Sequence, residues 1–237
     1  MTGPKKNVVG FMHVCLINNW QEIVNEQLQI IRQSGLMDYL RVINICAVGP
    51  EQEYAKLLTL ITPDSKLQMA EYTTDLKEYE YITLRKLKQI TNEGTQFYGF
   101  YIHTKGVSTP GNEGGKYWRD YMNHYNLREW REAIRHLDIG YETCGVKYIN
   151  KIYPAHYSGN FFWFNSQYVA SLPEVNQMNL RDRFNAEMWI CSGKAIAATL
   201  CQEFVDYNTK GIFIPPKTEA QLLEEQTENM AKASWKP

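Results

Sequence analysis

The residues most able to do chemistry fall in three short stretches. The first is His103-Thr104-Lys105-Gly106. An imidazole, a hydroxyl, an ammonium and a glycine in succession offer point charge, hydrogen-bond donors and close backbone approach, which is what a phosphate group needs. A surface loop with a solvated lysine has the same four letters. The second stretch, His156-Tyr157-Ser158-Gly159-Asn160, runs directly into Phe161-Phe162-Trp163. A histidine there can donate to a phosphate, ligate a metal or accept a proton, or it can pack under the neighbouring tyrosines of a tight turn. The third runs from Asp182 to Trp189 and contains Glu187, with Phe184 and Trp189 nearby. Apolar neighbours would suit that carboxylate to general-base work; a solvated helix-surface glutamate is the plain alternative. Other chemistries find no support, because G-x-G-x-x-G, the P-loop, G-x-S-x-G and H-E-x-x-H are all absent.

The elements that must position these groups follow from hydrophobic periodicity. Residues 8–17 form a nearly continuous apolar, β-branched run ending in Asn18-Asn19, which predicts a buried strand and a loop. Apolar residues at helical spacing predict a helix over 20–33, stopped at Ser34-Gly35. A second buried strand is expected over 40–48, broken by Gly49-Pro50. Helices over 51–60 and 78–90 bracket a short strand over 66–71, and 97–102 is the most strand-like hexamer. A flexible loop with Pro110, Gly111, Gly114 and Gly115 comes next, then an aromatic helix over 116–136 with an interruption near Asn126. Strands are expected over 138–148 and 160–164, short helices over 183–191 and 195–204, and a C-terminal helix over 218–233. Strand and helix alternating with short joints predicts an α/β fold: one Rossmann-like domain over 1–206, with a mostly parallel central sheet flanked by helices, and an extension over 207–237. In such a sheet ligands sit beyond the carboxyl ends of the strands. That rule singles out Asn18, Asn19 and Trp20 after the first strand and residues 103–106 after the central one.

Composition narrows the partners. The 237 residues hold 25 Lys plus Arg against 26 Asp plus Glu, a net charge of −1, so no global attraction to nucleic acid or to an anionic membrane is available. Five cysteines without C-x-x-C spacing suggest reduced thiols and a soluble, cytoplasmic protein rather than a disulfide framework or zinc knuckle. The apolar N-terminal run is too short to span a bilayer. The 16 Tyr and 6 Trp are many for a core alone, and such rings also line sugar and nucleotide sites.

The order of these motifs resembles one family. A first strand ending in polar residues, Y-I-H-T-K-G, Trp118-Arg119, H-Y-S-G-N-F-F-W, Leu172-Pro173 and A-E-M-W together are similar to the GT-A-type glycosyltransferase domains of bacterial surface-polysaccharide clusters and large algal viruses. The similarity runs from about residue 8 to about residue 204. It implies sugar transfer from a nucleotide-sugar donor, as co-substrate, to a hydroxyl of a glycan or other acceptor. Where that family usually carries a metal-holding Asp-x-Asp, this chain reads His103-Thr104-Lys105. The resemblance therefore leaves a divalent metal (Mn²⁺ or Mg²⁺) dispensable, with His103 and His156 as its only candidate ligands. On this reading Lys105 and His103, with Thr104, Gly106, His156, Gly159 and Asn160, meet the diphosphate. Asn18, Asn19 and Trp20 contact the nucleotide, Trp163 or Trp189 stacks on a sugar, and Trp118 with Arg119 fixes the diphosphate or closes the loop. Glu187 is the general base of an inverting reaction. The competing expectation is a non-catalytic nucleotide- or sugar-binding module of the same fold, with self-association or a partner held through the C-terminal helix.

Overall fold

Alternating apolar segments of period two and period 3.6 have one economical solution, a sheet with helices on both faces. The computed structural model adopts it, and describes residues 7–151 and 154–201. In chain order the first half holds β1 (Val8–Cys15), α1 (Trp20–Gln33), α2 (Leu36–Tyr39), β2 (Leu40–Val48), α3 (Glu51–Ile61), β3 (Leu67–Thr73), α4 (Tyr81–Asn92) and β4 (Tyr98–His103). The second half holds α5 (Glu113–Asn123), α6 (Trp130–Asp138), β5 (Thr143–Val146), β6 (Tyr148–Ile149), β7 (His156–Tyr157), β8 (Phe162–Asn165), α7 (Ser166–Ser171), α8 (Asn185–Trp189) and β9 (Ala197–Cys201).

Among the described residues seven strands form one sheet in the order β3-β2-β1-β4-β8-β5-β9, while β6 and β7 make a separate two-stranded ribbon. The β1, β2, β3 and β4 pairings are parallel, β8 runs antiparallel to both β4 and β5, and β9 returns parallel to β5. This is the α/β architecture expected from the sequence, a mostly parallel sheet between helices. Two apolar layers result. One gathers Trp20, Ile23 and Val24 of α1 with Leu57 of α3 and Trp118 and Met122 of α5 on one face. The other gathers Tyr81, Leu84 and Leu87 of α4 with Tyr168, Val175 and Trp189 on the opposite face.

Several local expectations change. Gly114 and Gly115 lie in the first turn of α5, because the Asn112 side chain caps it by accepting from the Gly115 N–H at 3.0 Å. The long aromatic helix divides near Asn126 as expected, into α5, a π-type turn over His124–Arg128 closed by Glu129 N–H on the His124 carbonyl at 2.9 Å, and α6. The helix expected over 195–204 is not formed where the structure describes that stretch: β9 occupies Ala197–Cys201 and pairs with β5. A short apolar run has no decisive period, and an available sheet edge decided it. The loop expected around His156 contains β7, paired with β6. The C-terminal helix over 218–233 and the boundary at 206/207 lie outside the described residues. Among the described residues no helix is long and apolar enough to cross a membrane.

Candidate functional site

From β1 the chain moves by way of α1 to β2 on one side, whereas β3 crosses by way of α4 to β4 on the other, so the sheet order reverses between β1 and β4. Two neighbouring crossovers that part leave a crevice at the carboxyl ends of those strands. A cleft of about 400 Å³ lies there. Its floor is His13, Cys15 and the segment 103–107, one wall is Leu76, Tyr79 and Glu80, and Arg183, Phe184 and Glu187 form a lip.

The floor is heavily braced. Thr104 N–H donates to the His13 carbonyl at 3.1 Å, and the Thr104 hydroxyl accepts from Cys15 N–H at 3.0 Å, so this threonine stitches the end of β4 to β1. Gln27 of α1 donates to the His103 carbonyl at 3.0 Å. Arg119 Nη1 donates to the Lys105 carbonyl at 3.0 Å, while its Nη2 reaches Glu26 at 3.2 Å, and Asn123 donates to the same Glu26 carboxylate at 2.9 Å. Gly106 turns the chain with φ +85°, a conformation that costs a residue with a Cβ about 1–2 kcal/mol. These contacts fix the backbone beneath the Lys105 side chain and leave its ammonium to the cleft.

Behind Lys105 lies a charged cluster. His103 Nε2 is 3.0 Å from the Gly159 carbonyl, and its Nδ1 is 3.6 Å from Glu80 Oε1. The other Glu80 oxygen accepts from the Tyr101 hydroxyl at 2.9 Å and from Asn160 Nδ2 at 2.5 Å. Burial pushes the Glu80 carboxyl up, but the fields of His103, His13 and Lys105 and the Asn160 amide outweigh it and hold it below the usual carboxylate range. His13, opposite His103 in the β1–β4 register and 2.9 Å from the Thr83 hydroxyl, is driven by burial from 6.5 down to about 4, Glu80 opposing, so it is neutral at pH 7. Burial, helped by Glu80, pushes Cys15 up to about 11, which makes it a poor nucleophile.

The lip is different. Glu187 Oε1 stands 4.0 Å from Lys105 Nζ, so the carboxylate faces an ammonium rather than the apolar surround expected for it. Phe184 is 56% exposed, and the Arg183 guanidinium lies 5.0 Å from its ring centroid. The Tyr81 hydroxyl donates to the Asp182 carbonyl at 2.5 Å and ties this lip to α4.

The fold thus gathers His103, Thr104, Lys105, Gly106 and Glu187 around one cleft, with Gly159 and Asn160 directly behind it. Other candidates go elsewhere. Asn18 spends its amide on the Val107 carbonyl at 2.8 Å, Asn19 on Glu22 at 3.2 Å, and Trp20 is buried with its indole N–H on Glu53 at 2.8 Å. His156 Nδ1 is 2.8 Å from the Pro154 carbonyl and outside the cleft lining, so it shares no site with His103. Trp163 and Trp189 are fully buried and offer no ring face to a ligand. Trp118 is buried against Gly159, where an added Cβ would lie 2.5 Å from its indole nitrogen, and buried Arg119 acts on Lys105 from behind. Both His103 nitrogens face oxygens, and among the described residues no group of three His, Cys, Asp or Glu side chains is placed to hold a metal.

Glu80, His13, Tyr79, Arg183 and Phe184 belong to the site without having been singled out as its residues. His13 carried a signal, as the polar interruption of an otherwise apolar strand. Glu80 carried none, since it sits among other glutamates and tyrosines and becomes special only under β4.

No curated protein matches the chain. Among solved structures, the crystal structure of 4-diphosphocytidyl-2C-methyl-D-erythritol synthase from Anaerococcus prevotii DSM 20548 is similar at a TM-score of 0.49 and 6% identity, covering 96% of this chain and 100% of that one. The sequence itself places the protein more directly: residues 16–188, which include every residue of the cleft described above except His13 and Cys15, match the model of DUF8361, a domain of unknown function, and the chain belongs to that family.

Proposed function

We propose that the protein is a glycosyltransferase that moves a sugar from a nucleotide-sugar donor to an acceptor hydroxyl, with Glu187 as general base and Lys105 as the cation that meets the donor diphosphate. One observation carries the reading: an ammonium and a carboxylate 4.0 Å apart share an open cleft at the switch point of the sheet. Group transfer from a diphosphate needs both groups. The acceptor oxygen attacks the anomeric carbon while its proton passes to Glu187. The bond between that carbon and the diphosphate oxygen breaks with its electron pair leaving on the oxygen, and the nucleoside diphosphate departs with the sugar configuration inverted. Lys105, with Arg183 on the same cleft, offsets the leaving charge. Donor binding draws Lys105 toward phosphate and away from Glu187, which frees the carboxylate to accept a proton. This chemistry requires a hydroxyl of a glycan or other acceptor, and no step calls for a divalent metal.

A panel of nucleotide sugars tests the reading by thermal stabilisation, since a ligand that binds only the folded state raises its apparent stability. At least one donor should stabilise the wild type, in the presence of chelator as well as without it. The Glu187→Gln variant should keep that stabilisation and lose turnover by roughly 10²- to 10⁴-fold. Stabilisation without turnover in the wild type would identify a binding module instead. Loss of donor binding on chelation, restored by Mn²⁺, would overturn the role given to Lys105, and retention of configuration in the product would remove Glu187 as base.

A further inference from the structure

Resting on that reading, we infer that Phe184 is the platform on which the acceptor lies, and that the acceptor presents a pyranose face to it. The rings expected to stack on sugar are unavailable, because Trp118, Trp163 and Trp189 are buried. Among the described residues the six-membered rings lining the cleft are those of Tyr79 and Phe184, and Phe184 is the one that is mostly exposed. It immediately precedes α8, and Glu187 N–H donates to the Phe184 carbonyl at 3.1 Å, so ring and carboxylate are one helical turn apart. Ring and carboxylate both line the cleft.

What covers that ring must satisfy its surroundings. Arg183 stands over it, Lys105 and Glu187 lie further in, and Leu76 is the other exposed apolar side chain of the cleft. One ring and one leucine among charges are far short of the roughly 800 Å² per partner of a protein interface. They fit a small ligand with one flat apolar face and a polar rim. A pyranose has a C–H face for the ring and hydroxyls at its edge for Glu187. A nucleobase is equally flat but brings no hydroxyl for a base to deprotonate.

Saturation-transfer NMR on the full chain tests this, with methyl β-D-glucopyranoside and methyl β-D-galactopyranoside as probes and uridine and adenosine as flat controls. Transfer to the ring C–H protons of a pyranoside is expected in the wild type. Affinity should fall roughly 3- to 10-fold in Phe184→Ala, the worth of one aromatic contact, and persist in Phe184→Tyr, which keeps the ring. No pyranoside signal in the wild type, equal signal in Phe184→Ala, or dependence on Phe184 for nucleosides alone would each overturn the inference. Donor stabilisation is measured separately and should survive Phe184→Ala. A wild type that no nucleotide sugar stabilises would remove the transferase reading while leaving the pyranoside result to decide Phe184 by itself.

Discussion

The β4 side of the cleft and its α8 lip are built by opposite means. Residues 103–106 are held from three directions: β1 through Thr104, α1 through Gln27, and α5 through Arg119, with Glu80 and Asn160 bracing His103 from below. The lip at 183–187 has one five-residue helix, an exposed ring, and a tether at Tyr81. Under the proposed function the braced wall meets the donor diphosphate, whose geometry is the same in every donor, and a fixed cradle lowers the ordering that binding requires. Under the same proposal the lip meets the acceptor, and its exposed side chains can adjust to one. Rigidity and chemistry are thus divided between the walls, and Lys105 and Glu187 meet where the two come together.

Three measurements sharpen or break this contrast. The largest effect is expected at Glu80. Glu80→Ala leaves His103, the Tyr101 hydroxyl and the Asn160 amide without their shared acceptor, and the cost of breaking such a partly buried pair is about 3–4 kcal/mol. Chemical denaturation should show that loss, and an effect below about 1 kcal/mol would mean the β4 wall is no more tightly built than an exposed surface.

Acid should loosen the same wall. His13 is neutral in the fold, with its pKa lowered from 6.5 to about 4, so the unfolded chain binds more protons between those values. Stability is therefore complete above about pH 6.5 and falls as pH drops toward 4, by up to about 3 kcal/mol for this one group. Glu80, held below the usual carboxylate range, adds its own loss at lower pH, as the pH falls through its folded value. A His13→Gln variant should flatten the profile between pH 6.5 and 4, and an unchanged slope would assign the acid sensitivity to other groups. The smallest effect belongs to the lip: Phe184→Ala should change stability by less than about 0.5 kcal/mol, because the ring is already mostly in water. A loss near 2 kcal/mol would show that Phe184 holds the lip together rather than serving a ligand.

The legibility of the molecule divides along a similar line. β1, α1 and β2 follow directly from the apolar runs and helical spacing of residues 8–48, because each buries a face whose period is local. β9 was not legible, since 197–201 is short and apolar and its strand state depends on pairing with β5. In the site, His103, Lys105 and Glu187 could be named from residue type and strand-end position. Glu80 could not, because its importance comes from lying beneath β4 against His103 and Asn160, 80 residues away in the chain.

By itself the sequence determined the α/β alternation, the strand that ends in His103-Thr104-Lys105-Gly106 and the presence of a carboxylate at Glu187. Those depend on periodicity and side-chain chemistry, which are local properties. Only the tertiary structure decided that Lys105 and Glu187 share a cleft, that Trp118, Trp163 and Trp189 are core and that Phe184 is exposed at the cleft. Burial and juxtaposition are set by how the sheet and helices pack, and no residue's identity fixes its neighbours across the fold.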